Sequence, residues 1–262
     1  MNIDDVIGRV EGLRREAYVK AVMRDDVIGC IGSHAPFDAL NSLGLWAIPV
    51  HGMDGSILKF SVEEGLCPLV DATVTYAKTD KCPLIHSSKI IVVDDFCPVM
   101  TREMSKLKDK NIFVYRKGSE NALFNEIFRV YGNKRLSMEK CLTRSMLLNK
   151  LNTLIEGLKS RTELTGMQVY ILEYYTKFLD PGERVELISE ISREIKFSDE
   201  PEEFIPVRVQ DGAGIYRQID EIYSGRKYRI LENFCDINGN YDFVYENCPY
   251  CEGKRINYMR ED

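Results

Sequence analysis

Short apolar runs closed by turn residues alternate with amphipathic stretches along the first half of the chain. Val27-Ile28-Gly29-Cys30-Ile31 is wholly apolar and closes on Gly32-Ser33, the pattern of a buried strand followed by a turn. Pro36 opens a helix over residues 37–43, in the first turn where Pro is tolerated, and Gly44 stops it. Residues 45–50 read as a second strand, 68–78 as a helix, 89–93 as a third strand, 98–107 as a helix and 111–115 as a fourth strand. Such alternation predicts an α/β fold, a parallel sheet with helices on both faces.

From residue 137 to about 196 the apolar spacing becomes helical, through Met146, Leu147, Leu151, Leu154, Ile155 and Leu158. Asp180-Pro181-Gly182-Glu183 interrupts it and starts a further helix carrying Val185, Leu187, Ile188, Ile191 and Ile195. After a polar linker at 198–203, a strand over 204–209, a turn at Gly212-Ala213-Gly214, a helix over 215–223 and a strand over 227–234 leading into Cys235 complete a second, short α/β unit. The division is therefore 1–132, a first α/β domain; 133–200, a helical segment; and 201–262, a reduced α/β unit with the C-terminal cysteines. Two strands are fewer than a free-standing sheet needs, so the first domain or a partner has to cover them.

Composition narrows the function classes. The 262 residues hold 35 Lys+Arg against 41 Asp+Glu, a net charge of −6, and no concentrated basic stripe, so nucleic acid is not expected as a partner. No apolar run approaches the roughly 20 residues of a membrane span. Met1-Asn2-Ile3-Asp4-Asp5 is acidic, without the apolar core of a secretory leader. A cytoplasmic protein is expected, in which eight cysteines are thiols or metal ligands rather than disulfides.

Four of those cysteines precede proline. Cys67, Cys82 and Cys97 recur at equal spacing, and Cys248 begins Cys248-Pro249-Tyr250-Cys251. Pro bars the α region for the residue before it, which places the thiol in an extended or turning segment. A single Cys-Pro is readily a small buried hydrophobe; the set points to a metal site, since iron–sulfur ligands come in such contexts. Cys97 follows the apolar run Ile90-Ile91-Val92-Val93, and open α/β sheets gather ligands at the carboxyl ends of their strands. Cys30 and Cys141 read as core thiols, Asp94-Asp95 as a solvated turn, and Tyr170, Tyr174 and Tyr175 as packing residues.

The stretch Ile28-Gly29-Cys30-Ile31-Gly32-Ser33-His34-Ala35-Pro36-Phe37, the strand Leu45-Trp46-Ala47-Ile48-Pro49-Val50, Gly65-Leu66-Cys67-Pro68 and the run from Lys81-Cys82-Pro83 to Cys97 resemble the 2-hydroxyacyl-CoA dehydratase family, which includes the benzoyl-CoA reductase-type subunits. The resemblance covers roughly the first 130 residues and implies two flavodoxin-like units around a 4Fe–4S cluster held by three cysteines. One low-potential electron from an ATP-dependent activator would then eliminate the 2-hydroxyl of an acyl-CoA substrate through a ketyl radical. Carried onto this chain, Cys67 and Cys97 become two ligands and Cys235 the third, with Ser33 and His34 lining the pocket as catalytic candidates. The chain is shorter than such subunits, and Cys248 and Cys251 are additional metal-ligand candidates. A four-cysteine cage would close the open iron position, which makes a non-catalytic cluster carrier within a larger redox complex the alternative. A zinc-stabilised structural protein using Cys235, Cys248 and Cys251 is a third reading. No Walker-type loop occurs, so ATP hydrolysis would come from a separate activator or other electron donor, and a homo- or hetero-oligomer is expected.

Overall fold

The computed structural model describes residues 3–32, 34–52, 55–61, 66, 68–95, 97–132, 138–159, 164–195, 205–208, 228–231 and 242–243. The acidic start of the chain opens a helix that the strand–helix rhythm did not announce, α1 (Ile3–Val22). Asp4 and Asp5 sit in its first turn, where negative charge opposes the helix dipole, and Val6, Val10, Leu13, Ala17 and Ala21 form its buried stripe.

Four strands follow, β1 (Val27–Ile31), β2 (Trp46–Pro49), β3 (Ile91–Asp94) and β4 (Ile112–Tyr115), in the order β2-β1-β3-β4 and all parallel. Their near-continuous apolar sequences follow from helices covering both faces, since successive side chains point to opposite sides. Val27, Ile31, Trp46, Ile48, Ile91 and Val93 join the core beneath α1. Ile28, Cys30, Ala47 and Val92 join a second core with Phe37, Leu123 and Ile127 on the other face. Those last residues lie on α2 (Phe37–Ser42) and α6 (Glu120–Tyr131). Pro36 caps α2 rather than occupying its first turn, and the third strand runs on through Asp94.

Each of the three equally spaced Cys-Pro pairs marks a helix start. Pro68, Pro83 and Pro98 are the first residues of α3 (Pro68–Thr79), α4 (Pro83–Ser87) and α5 (Pro98–Ser105). Proline suits that position because its fixed φ is helical and its missing N–H would be unbonded anyway. Cys82 and Cys97 are the preceding caps, both in the extended region that a following proline imposes.

The helical middle is three helices: α7 (Met138–Lys159), α8 (Gly166–Tyr175) and α9 (Pro181–Glu194), with a 3-10 turn at Thr176–Phe178. Thr165 and Gln168 form a reciprocal cap at the start of α8, with bonds of 3.2 and 3.0 Å. α7 packs on α2 and α9, and α8 packs on α1, so these helices share the core of the first sheet. Cys141, expected in the core, is half-buried on α7, beside the exposed Met138, Leu142 and Met146. The buried side of α7 begins only at Leu148, which leaves its first turns outside the core.

A second parallel sheet, in the order β6-β5-β7, comprises β5 (Ile205–Arg208), β6 (Tyr228–Leu231) and β7 (Asp242–Phe243). The sequence reading lacked β7. The linker at 198–203, the Gly212-Ala213-Gly214 turn and the helix at 215–223 lie outside the described residues. β6 docks on the start of α8. Met167 N donates to the Tyr228 hydroxyl at 3.2 Å, and Gly166 leaves room for the Tyr228 carbonyl, which a Cβ would meet at 2.2 Å.

Candidate functional site

In the order β2-β1-β3-β4 the chain reverses direction across the sheet between β1 and β3, and the crevice beyond their carboxyl ends is where open α/β sheets take ligands. Gly32 follows β1 with φ of +97°, and a Cβ there would lie 2.1 Å from Asp94 Oδ2, so both backbone and space demand glycine. Asp94 ends β3 only 4% exposed, not as the solvated turn its sequence suggested. Its carboxylate accepts the His34 backbone N–H at 2.9 Å and its carbonyl accepts from the Thr101 hydroxyl at 3.2 Å, tying both loops and α5 together. The exposed His34 imidazole places Nδ1 3.7 Å from Asp94 Oδ2. Asp95, next in sequence, does face solvent, with Arg116 at 3.3 Å.

Cys97 stands at the same edge. It is buried as the N-cap of α5, and its sulfur accepts from Met100 N at 3.4 Å. Below, Cys30 is fully buried, and burial pushes its thiol far up from the ordinary range, so it remains a neutral core residue as expected. Cys82 lies apart, on α4 and close enough to the Arg14 guanidinium to act on its charge. Ser33, Cys67, Cys235, Cys248 and Cys251 lie outside the described residues. Of the candidates, the structure thus places His34 and Cys97 at one edge, and among the described residues no three of His, Cys, Asp and Glu gather as a metal-binding group.

A cleft of about 360 Å³ opens beside this edge, between the loop after β1 and helices α7 to α9. Phe37 and Ile155 line it with Lys159, Lys177 and Arg184, and the Lys177 ammonium lies 4.9 Å from the Phe37 ring centre.

The end of β2 carries residues the sequence reading passed over. His51 is fully enclosed; its Nε2 meets the Tyr174 hydroxyl at 3.0 Å and its carbonyl accepts from Arg14 Nη2 at 2.9 Å. Burial, then the Arg14 and Lys177 cations, hold its pKa well below that of a free histidine, so the imidazole is neutral. Tyr174 stacks on Tyr170 at 5.7 Å, which is the packing expected of the tyrosines, but its hydroxyl also serves His51. A histidine closing an apolar strand was the available signal.

No family model matches this sequence, and no curated protein matches it. Neither comparison bears on the resemblance to the dehydratases.

Proposed function

We propose that the chain is an iron–sulfur subunit of the 2-hydroxyacyl-CoA dehydratase type, built of two flavodoxin-like units, with Cys67, Cys97 and Cys235 holding a 4Fe–4S cluster. The observation that carries the reading is Cys97, a buried sulfur at a helix N-terminus, at the carboxyl edge of β3 beside the β1–β3 crevice. Such a position suits a thiolate, because the first amides of the helix favour negative charge. Cys67 immediately precedes α3, and Cys235 follows β6 by a few residues in a parallel sheet. Bound there, a cluster supplies low-potential single electrons and, with three protein ligands, one exchangeable iron position.

The chain's own residues do the rest. Asp94 fixes the His34 loop through the backbone, and an imidazole whose Nδ1–H is turned toward that carboxylate presents Nε2 to exchange a proton with a substrate oxygen. Ser33, next to it, is a second polar pocket residue. The adjoining cleft, with Phe37 and Lys177, offers an apolar wall and a cation to an acyl thioester. An ATP-dependent activator delivers the electron, and the subunit works within a homo- or hetero-oligomer.

Protein prepared without oxygen should be brown, with about four iron and four sulfide per chain. Cys97→Ala should lose most of the iron, whereas Cys30→Ala and Cys141→Ala should keep it, with circular dichroism checking that each variant is folded. Colourless wild-type protein holding only zinc would overturn the reading.

A further inference from the structure

Arg14 presents a charge that no carboxylate among the described residues balances. It lies in the middle of α1 with 7% of its surface exposed, enclosed by α1, the end of β2 and the α8 region. One nitrogen, Nη2, donates to the His51 carbonyl. Nε and Nη1 are buried with no well-aligned hydrogen-bond partner among the described residues, although the Tyr18 side chain is close enough to bond the guanidinium. The guanidinium carbon stands 5.9 Å from the Phe178 ring centre, and among the described residues the neighbours that act on its charge are Tyr174, Tyr18 and Cys82 rather than a carboxylate. His51, its direct partner, is neutral. Buried charges are normally paired, because an ion taken out of water without a counter-charge is strongly disfavoured. A buried donor left without a partner calls for a water, ion or ligand that supplies one.

We propose that Arg14 anchors an internal binding site for a small oxyanion, a carboxylate or phosphate group, at the carboxyl end of β2. Nε and Nη1 lie on different edges of the guanidinium, and an oxyanion would accept a charge-assisted hydrogen bond from either of them. Tyr18, half-buried one turn along α1 and interacting with the guanidinium, is the group an incoming anion would displace. The proposal rests on α1 and the end of β2 and does not depend on whether a cluster is bound. Its ligand is a modulator or a detached anionic part of a larger substrate, and the two arms of the test distinguish carboxylate from phosphate.

The full-length chain is titrated with acetate and with inorganic phosphate, against chloride at matched ionic strength, and its melting temperature followed. A saturable rise in one arm is expected, absent or at least about tenfold weaker in Arg14→Met, because a charge-assisted contact is lost. Without anion, Arg14→Met should melt at or above wild type, since removing an unbalanced buried charge relieves its desolvation. Wild-type crystals grown with selenate should show an anomalous peak within hydrogen-bond distance of Nε or Nη1, a readout that stands even if the variant does not fold. No saturable response to either anion overturns the proposal, as does an undiminished response in Arg14→Met. A selenate peak without any solution response means an adventitious ion only, and overturns it too.

Discussion

His51 shows what burial does to one residue. It is neutral in the folded chain because its surroundings exclude water and hold two cations nearby, whereas in the unfolded chain it titrates near 6.5. Below that pH the unfolded state takes up a proton that the folded state refuses, so stability falls as the pH drops from about 6.5 and is level above it. The slope from this one group reaches at most about 1.4 kcal/mol per pH unit. Urea midpoints measured from neutral pH down to about pH 5, above the range of ordinary carboxylates, should fall in wild type and stay nearly flat in His51→Gln, whose amide can still meet the Tyr174 hydroxyl. Parallel curves for the two proteins would show that His51 is not the group responsible. Asp94 is the opposite lesson: an acid at the end of an apolar strand looked solvated, and it is buried because Gly32 and the His34 amide close over it.

At the scale of the element, start signals decide where helices begin. Asp180-Pro181-Gly182-Glu183 shows this for α9, where the Glu183 carboxylate accepts the Asp180 amide at 3.1 Å. Asp180 also receives Arg24 at 2.8 Å and Lys20 at 3.2 Å from the end of α1. Burial alone would raise its pKa, but those two cations outweigh it and hold the carboxyl below the ordinary range. Asp180→Ala removes the cap and both pairs, and should cost about 1–2 kcal/mol by chemical denaturation. Asp180→Asn keeps the capping oxygen and should lose distinctly less; equal losses would assign the whole effect to charge. The Cys-Pro pairs are start signals of the same kind. Their even spacing corresponds to three successive helix starts, and this local role is independent of any metal.

Across the whole molecule, the helical middle joins the two sheets. α8 rests on α1 along one side and receives β6 at its first turn. That contact is close because residue 166 has no side chain: a methyl group would fall 2.2 Å from the Tyr228 carbonyl and 2.7 Å from its ring. Gly166→Ala should therefore destabilise the chain by about 1–3 kcal/mol, against the small gain that Gly→Ala gives in an open helix. Hydrogen exchange should show the loss concentrated in β5 and β6. A variant as stable as wild type, with unchanged protection there, would mean that the second sheet does not depend on this contact.

The alternation of apolar runs with helical stretches was sufficient to place the four strands of the first sheet, the break before α9 and the strands β5 and β6, because each depends on neighbours within a few residues. Cys97 at a strand end was legible for the same reason: a buried run must stop at a turn, and the proline after the cysteine starts a helix there. Strand order was not legible, since β3 crosses to the far side of β1 through contacts between residues far apart in sequence. Nor were the clusters that depend on that crossing. His34 meets Asp94 across 60 positions, His51 meets Tyr174 across 123, and no local pattern links such partners. Local chemistry set the elements; only packing decided which polar groups would share a water-free interior, and therefore which of them carry an altered charge.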